Sequence, residues 1–141
     1  MVDDVRVLRL LRSLTDSLAT LRAESRADAA RRADPMWLAG VKYTFITAFE
    51  ACVDVAQHMC SSEGWGPPAD NGEAMTVLGR HCVLTQELAV RMRQAVGCRN
   101  VLVHEYIAVD DAVVLARLDD PADLAAFVGA VSGFLGEADD D

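Results

Sequence analysis

The sequence predicts an all-α protein, an antiparallel helical bundle of about five to six helices. Three observations carry that expectation. Apolar residues recur at three- and four-residue steps through most of the chain, no stretch alternates apolar and polar residues as a half-buried strand does, and the only run rich in Gly, Pro and Ser is Ser61 to Pro68. With 141 residues the chain is long enough to bury a core without disulfides or metals. Residues 1–136 are expected to form a single domain, and Glu137 to Asp141 a loose acidic tail.

The elements follow in order. Val7, Leu11, Leu14, Leu18 and Leu21 form one apolar stripe, so a first helix covers Val5 to Leu21. Arg26 to Asp34 is charged and either finishes that helix or begins a turn before Pro35, a residue suited to the first turn of a new helix. A second helix runs from Pro35 to about Cys60 on the stripe Leu38, Val41, Phe45, Phe49, Cys52, Ala56 and Met59. After the Ser61–Pro68 loop a shorter helix covers about Gly72 to Gly79. Thr85 can cap the next, whose expected apolar residues are Leu88, Val90, Met92 and Val96. Asp110 and Asp120, the latter followed by Pro121, are expected caps of two more helices.

Composition narrows the function. The formal charge of −9 argues against broad, sequence-independent attraction to nucleic acid, which is built from many Lys and Arg contacts to phosphate, so any chemistry on RNA has to come from a local basic site. Asp3 and Asp4 stand where a signal peptide needs basic residues, and charge interrupts every long apolar stretch, so the expected location is the cytoplasm with no membrane contact. Cys52, Cys60, Cys82 and Cys98 show no C-x-x-C spacing and are expected to be buried reduced thiols.

The segment from Arg99 to Tyr106, Arg-Asn-Val-Leu-Val-His-Glu-Tyr, sets groups suited to phosphodiester chemistry in an otherwise apolar run. Histidine as a residue type can accept and return a proton near neutral pH, and arginine offers a planar, permanently charged fork for phosphate oxygens. Arg99 and His104 are therefore the candidate catalytic pair, activating a ribose 2′-hydroxyl and stabilising the crowded phosphate without a metal; the spacing alone equally allows an ordinary helix-end cation and a capping imidazole. Five residues of regular helix turn through roughly 500°, leaving the two about 140° apart, whereas Asn100 shares a face with His104. Either the helix ends before His104 or the site collects groups from two chains. On the second helix Tyr43, Thr47, Glu50, Asp54 and His58 fall opposite the apolar stripe and suit a cleft or dimer seam as well as a solvated face. Glu50, Asp54 and His58 also resemble half of a di-metal centre, but a matching Glu-x-x-His on another helix is missing, so no metal site is assigned. His81 reads as a cation at a helix C-terminus.

At Arg99, Asn100, His104 and Tyr106 the sequence resembles the HepT-like group of HEPN ribonucleases, whose signature is R-x-x-x-x-H-x-Y, commonly with Asn after the Arg. The likeness extends from about Tyr43 to Val131. It takes in Phe49 to His58, Trp65 to Pro68, Leu78-Gly79 and Val109-Asp110-Asp111, and departs at Cys98, where the family often has an aromatic residue. The resemblance implies a HEPN-type homodimer in which two motifs face one cleft, acting as the endoribonuclease toxin of a type VII-like toxin–antitoxin pair. It implies RNA cleavage by Arg99 and His104 with no cofactor; Asn100 and, from the polar face of the second helix, Glu50 and Asp54 are the candidate supporting residues. It also implies silencing by a nucleotidyltransferase (MNT-domain) antitoxin that transfers AMP to Tyr106, placing negative charge where the RNA phosphate must sit. Two alternatives stay open from the residues alone: a non-catalytic nucleotide- or RNA-binding module of the same fold, and a metal-dependent helical hydrolase.

Overall fold

The computed structural model describes residues 4–104 and 109–140, with side chains for 5–104 and 109–136. Among these residues there are seven helices and no strand: α1 (Asp4–Glu24), α2 (Ala29–Arg32), α3 (Pro35–Ser62), α4 (Asn71–Arg80), α5 (Gln86–His104), α6 (Asp111–Asp119) and α7 (Ala122–Asp140). The expected all-α class holds, with one single-turn helix, α2, beyond the six expected. None of the described helices is long and apolar enough to cross a membrane.

Helix starts follow local cap chemistry. Asp34 accepts a hydrogen bond from the Met36 amide with Pro35 in the first turn of α3, and Asp110 does the same for the Ala112 amide at α6. Thr85 Oγ1 accepts from the Leu88 amide, and Asp120 from the Ala122 amide. At α4 the cap is reciprocal: Asp70 accepts from the Glu73 amide while the Glu73 carboxylate reaches back to the Ala69 amide. The charged stretch before Pro35 resolves into a clasp. Glu24 accepts from Arg31 at 2.7 Å and from Trp37 Nε1 at 2.7 Å, tying the end of α1 to α2 and to the start of α3. The Arg31 guanidinium holds the Glu24 carboxyl below its usual range.

α3 is the central element, packed against α1, α4 and α5, while α7 covers α1 and α5. The whole α1 stripe is buried, as is the α3 stripe from Val41 to Met59, with Leu38 half-buried. The stripe expected on α5 needs correction. Val90 is 57% exposed, and the buried residues are Leu88, Ala89, Met92, Ala95, Val96 and Leu102. Burial also reaches Lys42, 7% exposed, whose ammonium meets Asp111 Oδ1 at 2.8 Å and so fastens α3 to the first turn of α6. The backbone of α7 continues through 137–140.

The thiols divide. Cys52 and Cys60 are buried, and burial pushes both above the usual thiol range; Cys98 is half-buried, and Cys82 is exposed, with a left-handed backbone at φ 60°. The expectation of four buried thiols therefore fails at Cys82, which sits in the tight turn between α4 and α5, and is met only in part at Cys98.

That turn brings the two helices into close approach at Gly79, where an added Cβ would lie 2.8 Å from the Ala89 Cβ. Gly79→Val should destabilise the fold by about 1–3 kcal/mol, the usual range for overpacking, and lower the thermal melting midpoint. An unchanged midpoint would show that α4 and α5 separate freely.

Candidate active site

The inward row of α5 runs Leu88, Met92, Ala95, then Leu102, at helical steps that place Arg99 on the same row. Arg99 thus faces the seam with α3, its side chain only 21% exposed. There Arg99 Nη2 donates to Glu50 Oε1 at 3.2 Å, and Nη1 donates to Asn100 Oδ1 at 3.0 Å. Arg99 Nε is buried and meets no acceptor among the described residues. Of the five guanidinium donors, two are engaged and one is enclosed, leaving one N–H on each terminal nitrogen for a ligand oxygen. A fork held from two sides keeps its plane, which is what bidentate contact with phosphate requires.

Of the expected groups, the structure brings Arg99, Asn100 and Glu50 together. Asp54 is exposed one turn beyond Glu50 on α3; Tyr43 is exposed two turns before it, with Thr47 half-buried between them. α5 continues through His104, which removes the possibility that the helix ends before it. His104 is exposed on the last turn, rotated roughly 140° from Arg99 about the helix axis. Tyr106 lies outside the described residues.

Glu50 of the possible metal half-site is occupied by Arg99, and no group of three or more His, Cys, Asp or Glu among the described residues could hold a metal ion. His81 is the residue that ends α4, its amide donating to Val77 O, and its ring stacks on Trp65, with centroids 4.2 Å apart and planes within 7°. Two features escaped the sequence reading. Lys42 falls three residues before Phe45 on the buried α3 row, which could have marked it as an inward charge in need of a partner. The Trp65–His81 stack carries no local signal, because it joins two loops sixteen positions apart.

Comparison with known proteins adds relationship to geometry. Over 57 residues the chain is 35% identical to the mRNA nuclease HepT of Shewanella oneidensis, covering 40% of this chain and 43% of that one. Over 61 residues it is 39% identical to the tRNA nuclease HepT of Aphanizomenon flos-aquae, covering 43% and 42%. The matches thus span less than half the length of these two curated relatives. Among solved structures, the tri-AMPylated Shewanella oneidensis HEPN toxin in complex with MNT antitoxin superposes with a TM-score of 0.84 at 20% identity, over 94% of this chain and 99% of that one. The cytosolic protein of unknown function YutE from Bacillus subtilis gives 0.84 at 16% identity, over 97% and 93%. Both establish the fold. The sequence model of the family described as ribonuclease HepT-like matches residues 7–131, nearly the whole helical domain and all of the Arg99–His104 segment, and the chain belongs to that family.

Proposed function

We propose that the chain is a metal-independent endoribonuclease acting in the cytoplasm, with its site assembled in a homodimer from Arg99 and His104 of both copies. The observation that carries this reading is the division of labour on α5. Arg99 is fixed at the α3–α5 seam by Glu50 and Asn100, while His104 stands exposed on the last turn, well around the helix from it. A second copy facing the same groove supplies the missing proximity.

The chemistry then balances without a cofactor. His104 of one copy takes the proton of the ribose 2′-hydroxyl, and the oxygen attacks the adjacent phosphorus. The bond to the 5′-oxygen breaks, and that oxygen takes a proton from the imidazolium of the second copy, leaving a cyclic phosphate and a free 5′-hydroxyl. Arg99 stabilises the extra negative charge on the phosphorane oxygens. Glu50 and Asn100 orient the guanidinium, and Asp54 lines the same face of α3. Control falls to a nucleotidyltransferase antitoxin that adds AMP to Tyr106; a reading of this kind is supported by a solved structure of similar fold named as a tri-AMPylated HEPN toxin in complex with MNT antitoxin.

The test joins assembly to activity. Light scattering at micromolar concentration should give twice the chain mass, with an interface above about 1,000 Å², and RNA should be cut equally with and without a strong chelator. A monomer that cuts RNA would overturn the shared site; cleavage lost to chelator would overturn metal independence; RNA bound but intact would favour the non-catalytic module.

A further inference from the structure

Beyond the Arg99 seam, the same face of α3 leads into a cavity. Glu50, Gln57 and Ser61 lie within about 40° of one another around the helix, and Gln57 is roughly 10 Å along the axis from Glu50. Gln57, Cys60 and Ser61 form one side of an open cavity of about 350 Å³, and Gly64, Gly66, Pro67 and Pro68 form the other. The loop wall is prebuilt. The Trp65 amide donates to Cys60 O at 3.0 Å, Gly64 and Gly66 take left-handed backbone at φ 69° and 88°, and the Trp65 ring is fixed on His81 and edge-on to Phe134.

The geometry points to this cavity as the subsite for one nucleobase of the RNA, next to the scissile phosphate, selecting bases that carry an exocyclic amino group. This inference rests on the ribonuclease reading above. Its chemistry disfavours the charged part of a nucleotide: among the described residues the lining holds no Lys or Arg, and Asp54 and Glu63 stand close by in sequence. The volume sits at the low end of small-ligand sites, room for one ring system. Two proline rings offer a flat apolar wall, and the Gln57 amide nitrogen is already given to Asn71 Oδ1 at 3.0 Å, which leaves its carbonyl oxygen to accept from a base amino group. Recognition of a splayed-out base by an edge hydrogen bond and an apolar face is the common mode for single-stranded RNA.

The experiment titrates the ¹⁵N-labelled chain with AMP, CMP, UMP and ribose 5-phosphate and follows the Gly64 and Gly66 amides and the Gln57 side-chain amide. AMP and CMP should shift these signals and bind about tenfold more tightly than UMP, the value of one hydrogen bond, and ribose 5-phosphate should leave them in place. Equal shifts from ribose 5-phosphate, equal binding of UMP, or no shift at these groups would overturn the subsite. Gln57→Leu, checked for an unchanged melting midpoint, should flatten the base preference at one position flanking the cut in a mixed-sequence RNA. If the native chain cuts RNA and Gln57→Leu keeps the same distribution of cut sites, the subsite fails while the ribonuclease stands. If the native chain cuts no RNA, the ribonuclease reading fails, and the amide shifts alone decide what the cavity holds.

Discussion

Replacing His104 with alanine should reduce RNA cleavage by about 10²–10⁴-fold, the usual contribution of a positioned general base, while the helical circular-dichroism spectrum and melting stay unchanged. The side chain is exposed on the last turn of α5, so its loss leaves no hole and strands no buried partner. Arg99→Lys should also cut poorly, because an ammonium keeps the charge but cannot make a bidentate contact with phosphate while meeting both Glu50 and Asn100. Melting serves as the control, since Arg99 faces the α3–α5 seam. Full cleavage by His104→Ala would remove the imidazole from the mechanism, and full cleavage by Arg99→Lys would reduce Arg99 to a point charge.

Tyr106→Phe should keep ribonuclease activity yet escape silencing by the partner nucleotidyltransferase with ATP and magnesium. In the proposed modification the phenol oxygen would attack the α-phosphorus of ATP, pyrophosphate would leave, and the phenolic proton would go to a base on the transferase. On that reading the added phosphate is an anion two residues along the sequence from His104 and would compete with RNA for Arg99. Intact mass reads the outcome directly: the native chain gains one or more AMP units and the variant none. AMP on another residue, or equal inhibition of the variant, would rule Tyr106 out as the control point.

Much of the fold was legible because helix starts are local. Pro35, Thr85, Asp110 and Asp120 announce themselves through chemistry that spans three or four residues, and long apolar stripes such as that of α1 leave no other period open. What escaped depended on partners distant in sequence or on side chains that hydropathy barely registers. Val90 drew the α5 stripe toward solvent because it is apolar, whereas Ala89 and Ala95 are small enough to fit where α5 packs closely on its neighbours. That displacement hid the inward position of Arg99. Glu50 was legible as a polar residue on the far side of α3, but its pairing with Arg99 joins positions 49 residues apart. α2 is a single turn, too short for any period to show.

The place of Arg99 in that inward row carries an evolutionary consequence. Leu88, Met92, Ala95 and Leu102 show what packing alone selects along this side of α5. A leucine at 99 would remove a partly enclosed cation with an unanswered Nε, and such exchanges are often neutral or favourable to folding. On the ribonuclease reading proposed above, a lineage released from the need to handle RNA would drift away from arginine at little cost in folding, so that persistence of the residue would mark selection for contact with phosphate.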